Sequence, residues 1–198
     1  DVTNMRIAEC VSLPSDGKIY DEEFDGDIII SSMKTKHETL RLSALGDGTN
    51  KIMAEIIDDC CNLPEGLSSY DLCLGDFQYL LYRLRMATYG TDYDMGAICP
   101  LCGMEHMATI NMEDLEIRSF DDDMVSLFDV ELPVSKHKIK LTLQTPRMLD
   151  TVNKNVKNFM KKHPGATNPT LIYSICDCIL ELDDEPVINR IKLEKLIE

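Results

Sequence analysis

The chain has 198 residues, 44 % of them hydrophobic and 28 % charged, and its 35 acidic against 20 basic side chains leave a formal net charge of −15. That length supports one domain or two small ones, with a core that needs no disulfide support. The charge repels phosphate and argues against general nucleic-acid binding. No stretch approaches the roughly 18 uncharged apolar residues of a membrane span. "DVTNMRIAEC" lacks the basic start and apolar run of a signal peptide, and a start without Met reads as processed or partial.

In chain order, "LPSDGKIY" (13–20) reads as an extended segment with a turn at Asp16–Gly17. "IIISSM" (28–33) has β-branched strand character. Thr35 followed by Glu38 forms a capping-box pattern that predicts a helix to about Ala44. A second helix is expected from about Asn50 to Cys61, with Ile52, Ile56, Ile57 and Cys60 on one face, stopping near Pro64 and Gly66. The most periodic helix is 75–90, with Asp76 placed to cap it and Gly90 to end it. Phe77, Leu80, Leu81 and Leu84 form its apolar stripe, while Arg83 and Arg85 lie off it as partners for carboxylates. A hairpin at 97–110 and an acidic connector follow, in which Asp121–Asp123 most simply cap or solvate. In "ELPVSKHKIKLTLQT", Ile139, Leu141 and Leu143 alternate as in a half-exposed strand. Helices near 146–162, 170–182 and 190–198 close the chain, and the Lys154–Lys162 cluster reads as a solvated helix face.

The order of these elements contains an internal echo. "LPSDGKI" returns as "LPVSKHKI", "IIISSMKT" as "IKLTLQT", "KIMAEIIDDCCN" as "TLIYSICDCILE", and "LCLGDFQYLLYRLR" as "KLEKLIE". Four matches in one order favour duplication. The expected fold is therefore α+β, in two similar halves of a short β element followed by helices. The first half spans 1–118 and contains the CxxC hairpin; the second, 119–198, reads as a truncated repeat.

Cys99-Pro100-Leu101-Cys102-Gly103 carries the chemistry. Two residues between thiols let both sulfurs reach one ion about 2.3 Å away, and the glycine relieves the turn. β-prone flanks suit a zinc-ribbon-like hairpin, so Cys99 and Cys102 are read as ligands of Zn²⁺. His106 is either a third ligand, at C-x₃-H spacing, or an exposed residue of the outgoing strand. A continued second half would carry its own CxxC to complete the site. A redox C-P-x-C is disfavoured, because such thiols sit at a helix N-terminus. Cys60, Cys61, Cys176 and Cys178 lie in apolar helical contexts and read as core thiols. The chain has no Gly-rich phosphate loop and no G-x-S-x-G elbow. His37, His106, His137 and His163 are scattered, none beside a nucleophile in sequence, and no active site can be assembled.

The strings "LPSDGKIY", "IIISSMKTKHETL" and "GDFQYLLYRLRMATYGTDYDMGAICPLCGMEHMATINMEDLEI" resemble the baseplate hub subunit and assembly protein family of T-even-type contractile-tailed bacteriophages. The likeness covers about 10–118 directly and the remainder through the duplicated pattern. Its most specific run is Leu84-Arg85…Tyr89-Gly90…Tyr93…Cys99-Pro100-x-Cys102-Gly103. In that family a second cysteine pair lies near the C-terminus. The resemblance implies a non-enzymatic structural or assembly component of the central hub in the virion tail baseplate, assembled in the host cytoplasm. Its partners would be other hub proteins and the tape-measure protein, with neither nucleic acid nor membrane. The competing readings are a cellular zinc-ribbon adaptor for protein–protein contacts, whose nucleic-acid-binding form would need the basic surface that a charge of −15 argues against, and a thiol oxidoreductase, which needs a βαβ context around Cys99.

Overall fold

Strand β1 (Ala8–Ser12) pairs antiparallel with β2 (Asp27–Ser31), in register from Ala8 opposite Ser31 to Ser12 opposite Asp27. Helices α1 (Thr35–Ser43), α2 (Thr49–Cys60) and α3 (Leu74–Tyr89) follow, then a hairpin of β3 (Asp92–Ile98) and β4 (Glu105–Asn111). The remainder is an antiparallel sheet in the order β5 (Leu127–Glu131), β6 (Lys138–Thr142), β7 (Ile179–Leu182), β8 (Glu185–Pro186). Between β6 and β7 run α4 (Pro146–Lys162) and α5 (Thr170–Cys178). The computed structural model describes residues 8–20, 23–44, 48–187 and Leu193. Among them the architecture is mixed α/β, with separate small sheets.

The main core joins β1 and β2 to α2 and α3. Val11, Leu13, Ile28 and Ile30 meet Ala54, Ile56, Ile57, Leu72, Phe77, Leu80 and Leu84. The stripe read from the periodicity of α3 is buried at Phe77, Leu80 and Leu84, each contributing roughly 1.5–3 kcal/mol. A smaller cluster gathers Ile139, Cys176, Ile179 and Leu193.

A carboxylate sits inside the main core. Asp76, fully buried, accepts from the Ser15 amide at 3.1 Å, the Ser15 hydroxyl at 2.5 Å and the Tyr20 hydroxyl at 2.6 Å. The Tyr20 oxygen accepts in turn from the Cys73 amide at 2.9 Å. Burial, reinforced by the Asp76 charge, pushes the Tyr20 phenol pKa upward, so it remains a donor. The loop that presents Ser15 is closed by Leu13 N–H donating to the Gly26 carbonyl at 2.9 Å. Gly17 and Gly26 have φ of +72° and +79°. A Cβ on Gly17 would stand 2.4 Å from the Phe24 carbonyl oxygen, and one on Gly26 2.5 Å from the Asp16 carbonyl carbon. Only glycine fits either position.

The β6–α4 segment docks on this framework through polar contacts. The Leu74 amide, at the first residue of α3, donates to the Gln144 carbonyl at 2.8 Å. Thr145 caps α4 by accepting from the Met148 amide at 3.3 Å. Gly48 supplies no side chain to cap α2, and Asp150 of α4 takes that place. It accepts from the Lys51 amide at 3.0 Å, the Asn50 side chain at 2.9 Å and the Tyr70 hydroxyl at 3.0 Å. Arg147 grips Asp71 with two hydrogen bonds, at 2.6 and 2.7 Å, and lies 4.5 Å above the Tyr70 ring.

Several expectations shift. Asp76 is not the cap of α3: Cys73 holds that position, and the carboxylate, at the third helical residue, turns inward to Ser15 and Tyr20. The expected capping box begins one residue earlier, with His37 rather than Glu38 reaching back, its Nδ1 accepting from the Lys34 amide at 3.0 Å. The expected helix 170–182 divides at Cys178, and Ile179–Leu182 joins the sheet, where β-branched and leucine side chains meet β6. Arg83 pairs with Glu9, as its place off the stripe suggests, but Arg85 binds carbonyls instead. The helix expected at 190–198 lies outside the described residues except Leu193.

Asp76→Ala strands the Ser15 and Tyr20 donors in the interior, at about 1–3 kcal/mol each. Urea denaturation of the variant is expected to show a loss on the order of 3 kcal/mol or more, partly recovered in Asp76→Asn. A midpoint equal to that of the parent would remove Asp76 from its central place.

Candidate metal centre

Helix α3 delivers the chain to the hairpin at a fixed angle. Gly90, with φ of +86°, ends the helix in a conformation that side chains avoid. Arg85 then ties the exit down, donating to the carbonyls of Gly90 at 2.8 Å and Asp92 at 2.9 Å. Its guanidinium lies 4.8 Å over the Tyr93 ring and 5.9 Å from that of Tyr89. From this base β3 and β4 pair without a break from Asp92–Asn111 to Ile98–Glu105. Every residue of β3 is exposed, as is every residue of β4 but Ile110. The hairpin projects from the body with almost no packing of its own.

Residues 99–104 form its tip. The Cys99 amide donates to the Met104 carbonyl at 2.9 Å, and the Gly103 amide returns to the Cys99 carbonyl at 2.8 Å, with Gly103 at φ +69°. The amides of Cys102 and Leu101, followed by the Cys102 side chain, point at the Cys99 sulfur and hold that thiol below its ordinary pKa. Ala97 stands opposite His106, so pleat alternation brings His106 to the side of the ribbon from which Cys99 emerges. One donor atom each from Cys99, Cys102 and His106 lies within 4.8 Å of the others. A tetrahedral zinc ion spaces its donors by about 3.5–3.8 Å, so small side-chain movements would close the trio on one ion. Among the described residues no other group of three or more His, Cys, Asp or Glu side chains meets this criterion.

A model of the T4 bacteriophage base plate protein family matches residues 5–197. The chain belongs to that family. No curated protein and no solved structure gives a significant match. Membership makes this a structural component of the phage virion baseplate, in contact with other baseplate components. Among the described residues no helix is long and apolar enough to cross a membrane.

Elsewhere in this baseplate protein the fold assembles a constellation that no sequence pattern announced. His37 of α1 meets Cys60 of α2, with the thiol sulfur 3.3 Å from Nδ1, while Nε2 lies 3.3 Å from Asp59. Nucleophile, base and carboxylate thus stand in the order of a cysteine hydrolase site. The surroundings oppose that chemistry. Both Cys60 and His37 are buried, burial pushes the Cys60 thiol pKa up, and Nδ1 already serves the Lys34 amide. The contact clamps α1 to α2. Twenty-three residues separate the two side chains, which hid the pair from a reading by spacing. Cys61, Cys176 and Cys178 lie apart from the tip as expected, Cys176 buried and the other two half-buried. The inner hairpin face also borders an apolar groove of about 990 Å³, with Tyr93, Met95 and Ile110 facing Leu81 and Tyr89.

These environments should separate the thiols in alkylation. Burial raises the Cys61 thiol pKa to about 12 and that of Cys73 to about 11, so both stay protonated and unreactive at pH 8, whereas Cys99 ionises below its usual range. Iodoacetamide labelling of the folded, chelator-treated chain, read by peptide mass spectrometry, is expected to mark Cys99 first. Labelling of Cys60, Cys61 and Cys73 at an equal rate would contradict the assigned burial.

Proposed function

We propose that this protein builds or occupies the central hub of the baseplate, acts without catalysis, and contacts other hub proteins and the tape-measure protein. Family membership across residues 5–197 is the observation that carries this reading, and it favours a tail component over a cellular adaptor. In the same reading Cys99 and Cys102 bind Zn²⁺, with His106 as third ligand, and the ion locks a ribbon otherwise held by backbone pairing.

The reading also includes duplication, with halves at 1–118 and 119–198. Two similar strand-pair units support it. Leu13 N–H closes the β1–β2 loop on Gly26, and Leu132 N–H closes the β5–β6 turn on His137. Two helices follow each pair. The residue after the second helix then bridges back to the second strand, Cys61 to Ile30 in one unit and Ile179 to Leu141 in the other. Helix α3 and the hairpin interrupt the series, and the longer loop at 13–26 belongs to the first unit alone.

Cross-linking mass spectrometry on assembling tails is the test of place. Cross-links to hub and tape-measure proteins are expected; cross-links confined to peripheral baseplate proteins would overturn the hub assignment. Elemental analysis of the full chain is expected to find about one zinc per molecule, lost in Cys99→Ser. A metal-free parent that supports full tail assembly would reduce the knuckle to a relic.

A further inference from the structure

We infer that the metal at the hairpin tip has an open fourth coordination position, which a thiolate or imidazole from a different baseplate protein fills when the two dock. The inference rests on the zinc reading of Cys99, Cys102 and His106. Structural zinc is almost always four-coordinate, and sites with only three protein ligands keep water in the fourth place. Among the described residues the group stops at three donors, and the rival for the fourth place is the further cysteine pair that the family resemblance implies. The neighbouring carboxylate, Glu105, pairs with Ile98 in the register and so belongs to the opposite face of the ribbon from His106. Two thiolates neutralise a divalent ion, so a neutral imidazole completes the shell without added charge, while a third thiolate leaves it at −1, as in Cys₃His sites.

The surroundings of the tip favour a protein over a substrate. A hydrolytic zinc site excludes bulk water with walls, whereas this one stands on a ribbon exposed on both faces. At the tip Leu101 and Met104 are exposed by 95 and 59 %, and Ile98 and Met107, on the ribbon face opposite His106, by 73 and 69 %. Such a cluster at a projecting tip is the composition of a contact surface. A second copy of this chain is a poorer occupant, because its tip brings the same three donors, already engaged with its own ion. A partner with a free cysteine or histidine beside an apolar recess fits both features.

Cobalt substitution of the full chain tests the open position. Co²⁺ should bind stoichiometrically, with thiolate-to-metal charge-transfer absorption for two sulfurs, abolished in Cys99→Ser. Adding β-mercaptoethanol is expected to raise that absorption by about half, as a third sulfur replaces water, and adding imidazole to shift the d–d bands. Cobalt bound with a spectrum that neither probe alters would mean that this chain closes its own site, overturning the inference while leaving the zinc reading intact. Failure to bind cobalt would overturn both. Sedimentation velocity with and without metal covers the remaining occupant: a metal-dependent dimer would assign the fourth position to a second copy and refute the hetero-partner.

Discussion

A carboxylate without access to water has to be answered by donors, and the fold around Asp76 is organised to provide them. The cost of burying an ion is several kcal/mol even after relaxation. Here Ser15 contributes two donors and Tyr20 a third, and the first turn of α3 adds the positive end of its dipole. Those donors are correctly aimed only while the 13–26 loop keeps its shape, which the close backbone approach at Gly17 and Gly26 enforces. Other segments converge on the same point. The Phe120 amide donates to the Pro14 carbonyl at 2.8 Å, and the Gln144 carbonyl accepts from the Leu74 amide at the helix start. Loop, connector and β6–α4 junction are thereby indexed to one end of α3.

From the other end of that helix the hairpin departs. Its direction depends on Arg85, which would be exposed and idle as a carboxylate partner but is occupied here by two carbonyls and an aromatic face. Carbonyls of a chain leaving a helix need donors, and a guanidinium offers several in a rigid fork. The base of the hairpin is therefore tied to the end of α3.

What could be read from the chain follows from how local each cause is. The stripe Phe77, Leu80, Leu84 is periodic, and the structure buries it; Cys99, Cys102 and His106 lie within eight residues, and the hairpin brings them together. In sequence the strand 179–182 reads as the end of a helix, because a short apolar run looks alike in either state and only its pairing with β6 decides. Asp76 looked like a cap because helix-start carboxylates usually are; its true partners lie 61 and 56 residues away. The substitution of Asp150 for the missing α2 cap was equally invisible, because its target lies 99 residues distant. Long-range polar pairings leave no period in a sequence, and in this protein they set the relation between the parts.

The contrast between its two cysteine–histidine groupings shows how placement decides chemistry. Cys60 and His37 are in contact, yet closure of α1 on α2 removes water and raises the thiol pKa, so the pair is a packing device. Cys99, Cys102 and His106 have hardly any packing, and backbone amides aimed at sulfur favour the thiolate a metal requires. A seven-pair ribbon exposed on nearly every residue has little hydrophobic stabilisation to offset the entropy of its turn. Ligation would add a stabilising term at the tip, where otherwise backbone hydrogen bonds close the turn. In the proposed zinc reading, the same exposure that makes the ribbon depend on such a staple would also present that staple to a neighbouring protein.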